Sequence, residues 1–477
     1  MLCQPPAADG VVGKLTEQQE KDLKAFWKEF LQLIDEAPEQ GAGPKGKGSA
    51  DSAPKNEKDA GKDIPKDDNA KERMKAEEER RNAEAAFAEY GSIRFMDAFW
   101  RFVSMDDPDT MILRFARARK WKVSAGVAML ASCIKWRMDS DVEKIFEKGE
   151  EGMKDAEGFL MQLSSGKTYT QGTDYYGRPV EYIHVRLHKT SDQSPKALED
   201  FVLFQMESIR CMLADGADKV TIVFDMTGFG IRNMDWRCIL FIVKCLEAYY
   251  PESLNVMIIH NAPWVFQGIW KVLGPMLDPV VRNKIFMSKN EKDLLEYIPK
   301  NHLVKQLGGA NDWEWKYPDV ISGENEKQKD HAERKKLQKQ RDELIAQYLE
   351  VTREWMKSDK TPDEVKKKRQ MLVHRMCAQY WELDPYIRGR GCYHRAGNIV
   401  GNGLVTFNYP SEGGGDDEWE VIGYKSCREQ HLLQAEALAR DLGIEEQGDD
   451  VKASKSSSRS GGGDDKTKKK KKKSSRA

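Results

Sequence analysis

Two short β-branched apolar runs, Val220–Thr221–Ile222–Val223–Phe224 and Asn255–Val256–Met257–Ile258–Ile259–His260, flank an apolar helical stretch from Ile239 to Tyr250. This alternation constrains the fold more than any other feature of the chain. Runs of five or six apolar residues bounded by turn signals are buried strands, and strand, helix, strand in succession argues an α/β sheet with parallel members. Continuous rather than alternating apolarity means that both sheet faces are covered. Upstream, Pro179–Val185 alternates like a strand and Phe201–Met212 has helical spacing. Downstream comes a turn signal, Asn261–Ala262–Pro263–Trp264, then an aromatic helix, a second turn at Leu277–Asp278–Pro279–Val280, and a lone lysine in Lys284–Ile285–Phe286. That stretch reads as a strand leading into a movable apolar cover with one cation in greasy surroundings. It suits an apolar ligand with a charged head.

The flanks differ in composition. Thr16–Glu17–Gln18–Gln19 matches a capping box, and Leu23, Phe26, Trp27, Phe30, Leu31 and Ile34 follow on one face, so an amphipathic helix is expected over about 16–36. Residues 38–70, rich in Gly, Pro, Lys, Asp and Ala, read as a disordered linker. Helical pattern resumes near Lys71 in a charged segment, gains Phe87, Phe95, Phe99, Trp100 and Phe102, and breaks at Asp107–Pro108–Asp109. Two further helices are expected between Met111 and Trp136. The implied units are 1–37, a helix of an N-terminal helical module; 38–84, linker and charged segment; 85–145, the rest of the module; 146–312, the sheet domain; 313–445, an extension; and 446–477, a disordered basic tail. In the extension, 323–357 is a charged helical segment, Thr361–Pro362–Asp363–Glu364 looks like another capping box, and Leu404–Phe407 suggests a short strand.

Charge excludes some functions. The chain of 477 residues is 32% charged, yet 77 basic and 78 acidic residues nearly cancel. It has no overall field for nucleic acid, so any electrostatic targeting is local. The eight cysteines show no CxxC pair or metal-ligand spacing, which fits a reducing compartment. Met1–Pro6 lacks the features of a signal peptide, and no run reaches the roughly 18 apolar residues of a spanning helix. A cytoplasmic protein that touches membranes peripherally is expected. The six lysines Lys468–Lys473 on a Ser/Gly leash are suited to anionic membranes, nuclear import or solubility.

Catalytic signatures are missing: there is no P-loop, HExxH or GxSxG. Gly228–Phe229–Gly230–Ile231 lacks the third glycine of a nucleotide loop and reads as a strand-exit turn. His260 reads as a satisfied core residue. His184 and His188 sit on a strand that would keep them apart, and Asp225 reads as the cap of the turn after its strand. No catalytic residue and no metal ligand is assigned.

Seven motifs then stand in order: Ile112–Trp121 (ILRFARARKW), Tyr176–Val180 (YGRPV), Asp225–Gly230 (DMTGFG), Tyr249–Ser253 (YYPES), Asn261–Trp264, Leu277–Val280 and Lys284–Phe286. In this order and spacing the chain resembles the CRAL-TRIO lipid-binding family, closest to the fungal phosphatidylinositol transfer proteins, over roughly residues 15–36 and 85–312. The resemblance implies an N-terminal helical module and a CRAL-TRIO β-sheet with helices that form a gated lipid pocket, followed here by a helical or irregular C-terminal extension. It implies a carrier rather than an enzyme. The bound lipid is expected to be phosphatidylinositol, with no other cofactor. The gate would be Val265 to Leu277 plus the loop to Lys284, with Val265, Phe266, Ile269, Trp270, Leu273 and Leu277 lining the pocket. By position, the family's headgroup contacts fall on Arg119, Glu252 and Lys284. A further family threonine is Val281 here. The positions that serve phosphocholine in dual-specificity relatives fall on Thr170, Glu181, Ile183, Val220 and Ile222, and a buried Val-x-Ile offers a phosphate no hydrogen bond, so a less polar second ligand such as a sterol is expected. Two other functions fit the same sequence: a lipid-regulated sensor or scaffold with a protein partner on 313–445, and a carrier of another hydrophobic ligand such as sterol or haem.

Overall fold

The computed structural model describes residues 10–43, 67–358, 360–410 and 417–444. Most of the expected linker and the tail with Lys468–Lys473 lie outside them. The first helix, α1 (Glu17–Glu36), is capped as its sequence dictates: the Gln19 amide donates to the Thr16 hydroxyl and the Thr16 amide to the Gln19 side chain. Its apolar face is buried from Leu23 to Leu31, with Trp27 edge-on to Phe30 and Phe99 and Phe30 tilted against Phe99. Phe99 belongs to α2 (Asp68–Val103), which breaks its helical geometry at Gly91, where φ is +74°. Then come α3 (Pro108–Ala118), begun by Asp107 and proline, α4 (Val123–Asp139) and α5 (Val142–Gly152).

The expected linker is shorter than residues 38–70 at both ends, and the helical pattern expected from near Lys71 begins at Asp68. Residues 38–43 run along α2: the Ala42 and Gly43 amides donate to the Ala88 and Glu89 carbonyls, and Ser92 to Pro38. The charged segment from Asp68 to Glu84 is helix, capped by the Asp67 carboxylate. It has few apolar residues of its own, and its ion pairs with other parts of the fold are described below.

The sheet has five strands in chain order: β1 (Thr168–Thr173), β2 (Pro179–His184), β3 (Val220–Asp225), β4 (Leu254–His260) and β5 (Ile285–Ser288). β1 is antiparallel to β2, and β2 to β5 are mutually parallel. The crossovers are α6 (Pro195–Met212), α7 (Trp236–Lys244, continued by a π turn through Tyr249) and α8 (Phe266–Leu273). Side chains alternate across a strand, so register divides the sheet into two faces. Val180, Tyr182, Val223, Val256 and Ile258 pack under Leu294, Ile298, Leu303 and Leu307. The opposite face carries two cross-strand rows, Glu181–Ile222–Met257–Ile285 and Ile183–Phe224–Ile259.

The extension is built into this body. It comprises α9 (His331–Met356), α10 (Asp363–Ile387), a hairpin of β6 (Val405–Tyr409) and β7 (Glu418–Ile422), and α11 (Arg428–Asp441). The expected capping box at Thr361 does not form. Pro362 is the capping residue, and the Thr361 hydroxyl instead accepts from Lys24 of α1 at 2.7 Å. Arg369 of α10 forks onto the buried Asp109 carboxylate, which also accepts from Trp27 Nε1 at 2.7 Å. One carboxylate thus joins α1, α3 and the extension.

Candidate functional site

The two sheet rows form the floor of an apolar cavity of about 190 Å³. Its walls are Leu198, Phe201, Val202, Met206 and Ile209 of α6, with Ile239, Ile242 and Leu246 on and after α7. The cover is α8 and the turn that follows it. Phe266, Trp270, Leu273 and Leu277 line the cavity from this side, as does Val281. Of the other two expected gate residues, Ile269 is buried outside the lining and Val265 is half-buried. The apolar excess of this helix is therefore spent on a cavity as well as on a core.

Parallel strands place the residues that precede them at one edge of the sheet. Lys219 precedes β3, Glu252 stands two residues before β4 and Lys284 precedes β5. Lys284 Nζ lies 3.8 Å from Glu252 Oε2, next in sequence to the cavity-lining Ile285. Lys219 and Arg117 both fall within the field of Glu252, and burial lowers both their pKa values. Arg117 also pairs with Asp218 at 3.5 Å and donates to the Gly10 carbonyl at 2.8 Å. Three cations and two carboxylates thus share this edge. Glu252 has φ +58°, a left-handed conformation that a non-glycine side chain adopts at a cost.

Residues 163–309 match the CRAL/TRIO domain, and residues 22–132 match the CRAL/TRIO N-terminal domain. The chain is 41% identical over 303 residues to the CRAL-TRIO domain-containing protein C3H8.02 of Schizosaccharomyces pombe, covering 63% of this chain and 68% of that protein. It is 32% identical over 432 residues to the phosphatidylinositol transfer protein CSR1 of Eremothecium gossypii, covering 82% of this chain and 99% of that one. It is 29% identical over 222 residues to the SEC14 cytosolic factor of Kluyveromyces lactis, covering 43% of this chain and 71% of that protein. The chain belongs to the CRAL-TRIO family. The family is one of lipid-binding and lipid-transfer proteins. Among the described residues no helix is long and apolar enough to cross a membrane.

Within this CRAL-TRIO protein the three expected headgroup residues separate. Glu252 and Lys284 meet. Arg119 does not join them in any described pair. It caps the end of α3 and forks onto Glu79 of α2, with Nε 3.1 Å from Oε2. The arginine near Glu252 is Arg117. Arg117 is in the last turn of α3, whereas Arg119 is the non-helical residue after it, and the two side chains pair with different partners, Asp218 and Glu79. The motif alone does not say which of them faces the sheet. Lys219 was legible in principle, because it precedes its strand as Lys284 does.

The positions aligned with a phosphocholine site are hydrocarbon or spoken for. Ile222 and Ile183 line the cavity, while Val220 is buried outside its lining. Glu181 lines it too, hydrogen-bonded to the Thr170 hydroxyl, and burial raises its pKa to about 8, so it is protonated at neutral pH. The remaining polar residues have local partners. His184 bonds Asp225 at 2.9 Å and Tyr169 at 3.1 Å, and the Thr227 amide donates to Asp225 at 3.0 Å. His260 bonds the Ser288 hydroxyl at 2.9 Å. Gly228–Ile231 is a turn, in which Phe229 lines the cavity.

Proposed function

We propose that this CRAL-TRIO protein holds phosphatidylinositol in the cavity under α8 and exchanges it between membranes as a carrier rather than a catalyst. The observation that carries the reading is the Glu252–Lys284 pair beside an apolar cavity, with Lys219 and Arg117 alongside. Lys284, Lys219 and Arg117 supply donors for a phosphodiester, and Glu252 accepts from inositol hydroxyls. Each methylene buried in the cavity adds about 0.8 kcal/mol, which lets the pocket compete with a bilayer once the head is matched. Arg119 holds α2 and takes no part in headgroup binding.

Two exposed side chains suit the membrane step. Ile231 and Trp264 are 66% and 85% exposed. They stand close in sequence to the cavity-lining Phe229 and Phe266, on loops joined by the Asn261–Thr227 hydrogen bond of 3.1 Å.

Vesicle-to-vesicle transfer of labelled lipid tests the reading. Lys284→Ala and Glu252→Ala each lose phosphatidylinositol transfer ten-fold or more and keep the wild-type fold, because removing one partner of a charged hydrogen bond costs about 1–3 kcal/mol. Phosphatidylcholine transfer is poor in the wild type, since a phosphate over Ile222 is desolvated without donors. Unchanged phosphatidylinositol transfer in both variants refutes the assignment.

A further inference from the structure

The end of the cavity away from Lys284 carries a second cation. Lys284, Glu252 and Lys219 stand at the amino ends of the parallel strands. β1 runs the other way, so Lys167, just before it, lies beside the carboxyl end of β2, where the His184 amide donates to the Lys167 carbonyl at 2.7 Å. Lys167 is only 6% exposed and lines the cavity.

Its surroundings are built. Lys167 Nζ lies 3.1 Å from His188 Nδ1, and His188 Nε2 lies 3.3 Å from Asp235 Oδ2. Nδ1 faces an ammonium, which can only donate, and Nε2 faces a carboxylate, which accepts, so the ring accepts at Nδ1 and donates from Nε2. The nearby Asn233 is spent on backbone: its amide donates to the Arg186 and His188 carbonyls and accepts from the Gly230 amide. An ammonium has three N–H donors; the hydrogen bond to His188 uses one, and the Phe201 ring, 5.6 Å from Nζ, offers a cation–π face but no anion. Burial lowers the Lys167 pKa to about 8, so it stays charged at neutral pH. A buried cation with spare donors in an apolar cavity is costly unless something anionic meets it. The inositol reading leaves this group unused.

We propose that Lys167, held by His188, anchors the anionic head of a second, single-chain lipid that lies in the cavity in the reverse sense to the phosphoinositide. The head is a carboxylate or a phosphate monoester. The inference rests on the cavity being a lipid pocket and not on the inositol assignment. Because both ligands fill one cavity, each excludes the other.

Displacement of a fluorescent fatty acid from the full chain tests this, with oleate, lysophosphatidate and uncharged oleyl alcohol as probes. Wild-type protein binds at least one anionic probe ten-fold or more tighter than oleyl alcohol, and which one identifies the head. Lys167→Met removes that preference and leaves oleyl alcohol binding unchanged, while Lys167→Arg keeps most of it. Lys284→Ala leaves oleate binding unaffected, and saturating oleate blocks phosphatidylinositol uptake by the wild type. Equal affinity of the wild type for the anionic probes and the alcohol overturns the proposal without recourse to any variant. So does equal binding of the preferred anionic probe by wild type and Lys167→Met, or a parallel loss of that probe and the alcohol. Unchanged phosphatidylinositol transfer by Lys284→Ala, with the anionic preference of the wild type intact, would count against the inositol reading alone.

Discussion

Arg119 grips Glu79. The guanidinium at the end of α3 forks onto a carboxylate in the charged half of α2, and both side chains are largely buried. A polar helix segment is thereby pinned to the helical module. From there Lys71 donates to the Pro275 carbonyl at 2.7 Å, and Lys75 lies 3.5 Å from both Glu247 and Asp278. The cover over the cavity is therefore latched from outside by α2.

Arg119→Ala leaves Glu79 buried without its partner. Loss of about 3 kcal/mol or more is expected, measurable by urea unfolding, together with faster amide exchange over residues 68–84. Arg117→Ala, at the other site, weakens phosphatidylinositol binding with a smaller loss of stability. The reverse pattern would return Arg119 to the headgroup.

Lys75→Glu turns the attraction to Asp278 on the cover, and that to Glu247 on the adjoining wall, into repulsions. Each partly exposed pair is worth up to about 1 kcal/mol, so opening should rise about five-fold. Hydrogen exchange over 266–282 and the rate of lipid release report it. Unchanged protection of that stretch would show that α2 does not latch the cover.

Glu181 makes stability depend on pH. Burial raises its folded pKa from about 4.5 to about 8, so the folded state holds its proton more tightly than the unfolded state. Its stabilising contribution is complete below about pH 4.5 and is lost as pH rises through about 8. Glu181→Gln, which cannot ionise, should flatten the fall in melting temperature across this window relative to wild type. Parallel curves for the two proteins would place the carboxyl in contact with water.

Arg369→Ala strips Asp109 of its guanidinium in a dry setting. A cost of about 3–5 kcal/mol is expected, expressed as melting of the helical module together with the extension in one transition. Deleting residues 313–444 should likewise unfold the module, because Trp27 and Tyr348 pack edge-on at 5.9 Å across this boundary. A stable, transfer-competent truncation would show that the extension is a separable appendage.

Sequence alone determined the elements whose cause is local or periodic. The Thr16 capping box, the apolar face of α1, the breaks at Pro108 and Gly228, and the β-branched runs of β3 and β4 all carry their structure in adjacent residues. Seven ordered motifs carried the family and the place of the cavity. Tertiary structure decided the partnerships, because they join residues far apart in the chain. Glu252 meets Lys284 and Lys219 only because parallel strands bring their starts to one edge. Arg117 rather than Arg119 faces that edge because of the rotation of α3, which spacing does not encode. The charged half of α2 offers little apolar surface in sequence, and it is held by the Arg119–Glu79 pair, while the extension adds the Arg369–Asp109 pair to apolar packing such as that of Tyr348 and Trp355. A salt bridge leaves no periodic trace in a chain where nearly one residue in three is charged, so only the folded arrangement could say which charges were paired.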